Sequence, residues 1–171
     1  MTKGLRTDDT AQVQSQSAQY LYEMISSRLF LSAFFSWFSA QVIKMILDQV
    51  RGRSRKSKDM VATLMWKTGG MPSSHSSLVT GLATAIGVAY GVRSPVFTVA
   101  LFYGVLVIRD AMGVRLSAGH QAQKINEMGR ELESRFGIEF EPVKEVSGHT
   151  PSEVFVGVLL GFFTGLAFSL L

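Results

Sequence analysis

Apolar residues gather in four runs along the chain: 29–50 (LFLSAFFSWFSAQVIKMILDQV), 76–92 (SSLVTGLATAIGVAYGV), 95–108 (PVFTVALFYGVLVI) and 154–171 (VFVGVLLGFFTGLAFSLL). A helix crosses a bilayer with about 20 mostly apolar residues. The third run extends toward Val114, and the fourth carries no charge at all. Membrane helices therefore fit the pattern better than the buried helices of a soluble bundle. Two rows of small residues recur at a spacing of four: Gly157, Gly161 and Gly165 in one run, Ala83, Gly87 and Gly91 in another. Such rows let membrane helices approach closely.

The intervening segments are polar. Residues 51–75 begin too basic to span, and their apolar piece, 60–66, is too short to cross. It reads as a re-entrant or interfacial segment. Within 109–150, the stretch LSAGHQAQKINEMGRELESRFG predicts a surface helix that stops at Gly137. Residues 1–28 form a polar tail or interfacial helix, with no apolar stretch of the kind a secretory signal needs. The expected fold is all-α: a single membrane-embedded bundle over 29–171 with about four transmembrane helices, a short re-entrant or interfacial segment and a cytoplasmic surface helix.

Charge orients this bundle. Twelve Lys and Arg residues lie in 51–67 and 109–150, against Lys3, Arg6, Arg28 and Arg93 on the other side. The positive-inside rule puts the first group in the cytoplasm, whether in a bacterial inner membrane or an organelle membrane. The net charge of +4 suits an anionic surface or substrate, and nothing in the pattern points to nucleic acid. The chain has no cysteine, which excludes disulfides and thiolate metal sites.

Unusual polar residues sit where the four runs meet that face. Gln41, Lys44, Asp48 and Arg51 form one helical stripe, and Lys44 lies inside an apolar run, where a charge is expensive. In GGMPSSHSS (69–77) two glycines permit a sharp turn, and Ser73 or Ser74 can cap the helix that follows. Free N–H groups at such a start bind phosphate, and His75 lies in the first turn. In GHTPSEV (148–154), Thr150 and Glu153 make a capping box, and Glu153 stands four residues from His149. A carboxylate so placed can hold an imidazole in one tautomer, as a histidine nucleophile requires. Asp110 ends the third run, and Arg115 follows a glycine from which its guanidinium can reach the same site as a phosphate clamp.

These residues resemble the type 2 phosphatidic acid phosphatases, which are related to the vanadium haloperoxidases. That family carries K-x6-R-P, P-S-G-H and S-R-x5-H-x3-D. Lys44 and Arg51 match the first in spacing, with Gly52 in the proline's place. Pro72, Ser73, Ser74 and His75 match the second, with serine for glycine; His149 and Glu153 match the end of the third, with glutamate for aspartate. GGMPSSHS, DAMGVR and GHTPSEV together look most like a divergent bacterial and plant branch. The family arginine of the third motif is replaced by Val143, with Lys144 one position off, and the bundle has four runs where six are usual. Arg115 is the residue expected to supply the missing guanidinium. A second copy of the chain is expected to close the smaller pocket.

The resemblance implies a phosphatase acting on a membrane lipid phosphate without a metal ion or other cofactor. Lys44, Arg51 and Arg115 would hold the phosphoryl oxygens, with Ser73, Ser74 and Asp110 also lining the binding site. His149 would be the nucleophile, oriented by Glu153, and His75 the acid for the leaving alcohol. Two other readings stand beside this one. The first is a non-catalytic protein that binds or transports an anionic lipid. The second is a metal-dependent hydrolase built on His75, His120, His149 and Asp110.

Overall fold

The computed structural model describes residues 7–50, 70–145 and 148–171. Every described element is a helix: α1 (Thr7–Ser26), α2 (Arg28–Val50), α3 (Ser74–Tyr90), α4 (Pro95–Met112), α5 (Val114–Phe136) and α6 (Pro151–Leu170). The expected re-entrant piece at 60–66, together with Arg51 and Gly52, lies outside the described residues.

Local chemistry sets most boundaries. Ser27 separates α1 from α2 and accepts a hydrogen bond from the Phe30 N–H at 3.2 Å, capping α2. Ser94 accepts from Phe97 N–H at 3.2 Å, and Pro95 occupies the first turn of α4, where its missing N–H costs nothing. The surface helix ends where the sequence predicts: Gly137 adopts φ +68° and its N–H binds the Glu133 carbonyl at 3.0 Å.

The interior is small and polar, and the exterior is apolar. Ser32, Ser36, Ala40, Gln41 and Lys44 form the buried stripe of α2. By contrast Phe30, Phe34 and Phe38 stack along its exposed side, with ring centroids 6.2 and 6.0 Å apart. Val99, Phe102, Leu106, Phe155 and Phe163 are likewise exposed. Large apolar side chains facing outward over a bundle are what lipid as solvent selects. Helices α2, α4 and α6 are long and apolar enough to cross a bilayer. Helix α3 has 17 residues, at the lower edge of a spanning length, and lies at the centre against the other three.

Glycine makes this closeness possible. A Cβ on Gly157 would stand 2.5 Å from the Ser73 carbonyl oxygen, and one on Gly165 2.6 Å from that of Gly81. One on Gly161 would overlap the Ser77 carbonyl. The row at 157, 161 and 165 is thus the α6 face that receives α3. Ser77 adds a hydrogen bond from its hydroxyl to the Ser36 carbonyl of α2 at 2.7 Å. The second row divides. Ala83 is buried and Gly87 receives the Phe97 ring, but Gly91 has no neighbour within 4 Å of a Cβ. Gly91 instead ends α3 with φ +80°. Its spacing matched the packing row, but its place one residue past the helix end removed it from the interface.

Candidate active site

The site is assembled from helix ends at one pole of the bundle. Gly70 turns the chain with φ +85°, the Met71–Pro72 bond is cis, and Ser73 caps α3. The Ser73 hydroxyl accepts from the Ser76 N–H at 3.4 Å and from the Ser76 hydroxyl at 2.9 Å. Ser73, Ser74, Ser76 and Ser77 are all buried, while His75 turns outward at the mouth.

The second motif docks directly on the first. The Ser73 N–H donates to the Glu153 carbonyl at 3.0 Å, and the Gly157 face receives the Ser73 backbone. Glu153 reaches back to the Thr150 N–H at 3.0 Å, the expected capping-box bond, and the same carboxylate oxygen lies 3.3 Å from His149 Nδ1. His149 is 4% exposed. Its backbone N–H donates to the Ala111 carbonyl at 3.0 Å, which ties the loop to the end of α4. The His75 and His149 rings are neighbours, with centroids 6.4 Å apart and planes tilted by 56°.

Cations surround the pair. Lys44 is 3% exposed on α2, and its aliphatic stem lies beside Gly70. Arg115 donates from Nε to Asp110 Oδ2 at 2.9 Å, with both side chains half-exposed. Lys44 and Arg115 both act electrostatically on both histidines. Burial pushes the His149 ring below its ordinary value of 6.5; the Glu153 hydrogen bond opposes this, and Lys44 and Arg115 reinforce it. At neutral pH the ring is therefore unprotonated, with a lone pair available on Nε2 once Nδ1–H faces Glu153.

The structure thus brings together Lys44, Ser73, Ser74, His75, Asp110, Arg115, His149 and Glu153. His120 is exposed on α5. Among the described residues no three His, Cys, Asp or Glu side chains converge as metal ligands. Several participants escape motif reading. Ala111 contributes only a carbonyl. Gly148 is needed because a Cβ there would overlap Leu116. Asn126 donates to the Val143 carbonyl at 2.9 Å and accepts from the Val143 N–H at 2.8 Å, folding the chain after Gly137 back along α5 and returning it toward His149. A lone Asn on a predicted surface helix offers little signal for that clasp beyond its spacing with Gly119, Ala122 and Gly129, small residues that fall on one helix face and are buried.

Residues 25–164 match the Divergent PAP2 family. This chain belongs to that family. It is also 35% identical over 156 residues to the "Uncharacterized membrane protein YuiD" of Bacillus subtilis (strain 168), a match that covers 84% of this chain and 95% of the relative. No solved structure matches it. As a member of the Divergent PAP2 family built from apolar helices, the protein is an integral membrane protein. The family match spans every element of the site, from Lys44 to Glu153.

Proposed function

We propose that this protein is a membrane-embedded lipid phosphatase, hydrolysing a phosphomonoester or pyrophosphate of a lipid through a phosphohistidine intermediate. The observation that carries the reading is His149, buried and braced by Glu153, with the His75 ring centroid 6.4 Å from its own. Both rings stand at the same pole of the bundle, where Lys44 and Arg115 act on them electrostatically.

In the first step His149 Nε2 attacks phosphorus and the bond to the leaving oxygen breaks. His75 gives that oxygen its proton, a contribution of roughly 10²–10⁴-fold in rate. Glu153 stabilises the charge that develops on the His149 ring. In the second step water attacks the phosphohistidine, His75 takes its proton back, and inorganic phosphate leaves. Lys44, Arg51 and Arg115 stabilise the equatorial oxygens in both steps. Ser73 and Ser74 add hydrogen bonds, and Asp110 fixes Arg115. Arg115 stands in for the family arginine, whose position is Val143, bound through its backbone to Asn126. Phosphatidate, phosphatidylglycerophosphate and polyprenyl pyrophosphate are all substrates of the right kind. The excess of Lys and Arg in 51–67 and 109–150 supports a site on the cytoplasmic side.

The test is phosphate release from a lipid-phosphate panel by purified protein, with chelator and with vanadate. Turnover should survive the chelator and be blocked by vanadate, which mimics pentacoordinate phosphorus. His149→Ala should form no phosphoenzyme with any substrate. The defect of His75→Ala should shrink for nitrophenyl phosphate, whose leaving group needs no proton. Normal turnover by both folded variants would overturn the assignment. Lipid-phosphate binding without any hydrolysis would instead favour a non-catalytic binding or transport protein, the reading to which the altered third motif also lends itself.

A further inference from the structure

A cleft of about 490 Å³ runs between α3, α4 and α6, lined by side chains that include Val79, Ala83, Leu101, Ile108, Val158 and Phe162. Apart from Thr80 and Thr84 every lining side chain is apolar or a glycine. Its near end adjoins the candidate active site on all three walls. Val79 is one helical turn beyond His75. Ile108 is one turn before Ala111, whose carbonyl holds the His149 N–H. Val158 is one turn beyond Val154, next to Glu153. The far end is lined by Gly87, Val92 and Phe97. A Cβ on Gly87 would stand 3.0 Å from the Phe97 ring, so glycine there lets the ring close on α3.

The dimensions select an occupant. From Val79 to Val88 the α3 axis advances about 14 Å at 1.5 Å per residue. That is the depth of one leaflet, half of a hydrocarbon core about 30 Å thick. That length and the largely apolar walls suit a single hydrocarbon chain lying along one leaflet. Leu101 and Phe162, at 46% and 44% exposure, leave the side of the cleft open to lipid, so a chain can enter laterally.

We propose that this cleft is the chain subsite of the enzyme: it holds one acyl or prenyl chain of the lipid whose phosphate lies between His75 and His149, and Phe97 sets the chain length accepted. The proposal rests on the phosphate-site reading above. It adds that the chain is bound within the protein rather than left in the bilayer, and that the second chain of a two-chain lipid stays outside.

The test uses the full chain in nanodiscs of zwitterionic lipid. Its substrates are nitrophenyl phosphate and single-chain alkyl phosphates from butyl to octadecyl. Wild type should show kcat/KM rising with chain length to a plateau. Leu101→Trp and Thr84→Phe, which fill the cleft from opposite walls, should each lose at least about tenfold on the long chains. Both should leave nitrophenyl phosphate turnover unchanged. Phe97→Ala should move the plateau to longer chains. Unchanged chain-length profiles in variants active on nitrophenyl phosphate would overturn the chain subsite and leave the phosphatase reading standing. Should no phosphate ester be hydrolysed, an alkyl phosphate with a diazirine at its chain end decides separately. Crosslinks at Leu101, Phe97 or Phe162 support the subsite; crosslinks to bulk lipid alone, or between two protein copies at Leu101, refute it.

Discussion

Replacing Gly161 with alanine adds a methyl group where α6 meets the backbone of α3. That Cβ would lie 2.9 Å from both the carbonyl carbon and the Cα of Ser77, half an ångström inside the 3.4 Å at which ordinary contact begins. The carbonyl oxygen lies closer still. None of these atoms can rotate away, so the two helices must part by at least that half ångström. The Ser73–Glu153 bond across the site then stretches with them. Overpacking of this kind costs about 1–3 kcal/mol. Alanine recovers roughly 0.5–1 kcal/mol through its better helix propensity. A net loss of about 1–2 kcal/mol, at roughly 2–4 °C per kcal/mol for a chain of this size, lowers Tm by several degrees. Gly104→Ala is the internal control, because its Cβ would meet Val79 at 3.6 Å, an ordinary contact. It should be neutral or slightly stabilising. The assay is thermal unfolding in one detergent, alongside phosphate release. Because a 1 Å misplacement can cost about 10²-fold in rate, Gly161→Ala should lose activity even at temperatures where it stays folded. A Tm for Gly161→Ala equal to or above that of Gly104→Ala would refute the close-packed α3–α6 seam.

Three further outcomes follow from the site. Because the folded His149 ring binds a proton less readily than a free imidazole, the unfolded chain holds more protons below about pH 6.5, and stability falls with pH there. The acid limb of kcat/KM, where the nucleophile becomes protonated, should likewise have its midpoint below 6.5; a midpoint above it, read from a pH–rate profile, removes His149 as the group that must be neutral. Asp110→Asn should loosen Arg115 without removing it, raising KM for a lipid phosphate more than it lowers kcat, whereas Arg115→Ala should lower both; equal and negligible effects of the two variants mean that the pair is only a surface ion bridge, worth about 0–1 kcal/mol. The native chain has no cysteine, so Ser134→Cys on exposed α5 reports topology cleanly; it should react with an impermeant thiol reagent only after permeabilisation, and labelling in intact cells reverses the orientation.

The sequence by itself determined the helices and their ends, because those depend on neighbours within a turn or two. Apolar runs of spanning length, Ser73 as a cap and Gly137 as a terminator act locally, and all are legible in order along the chain. The same holds for the Thr150–Glu153 capping box and for His149 four residues before Glu153. A four-residue glycine spacing announced a packing face, but it could not tell Gly161, pressed on Ser77, from Gly91, which faces nothing. Spacing encodes which residues share a face; whether another helix lies there is set by the crossing of two distant segments. The same limit governs the site. Motif order suggested that Lys44, His75 and His149 belong together, but the bonds that align them join Ser73 to Glu153 and His149 to Ala111 through backbone groups. Every residue has those groups, so they leave no mark in the sequence. The cleft beside the site is less legible still, since it is the space that three helices leave between them. Its walls are ordinary Val, Leu and Phe of membrane spans, and only the tilt and separation of α4 from α3 and α6 turn those residues into a lining rather than a lipid-facing surface.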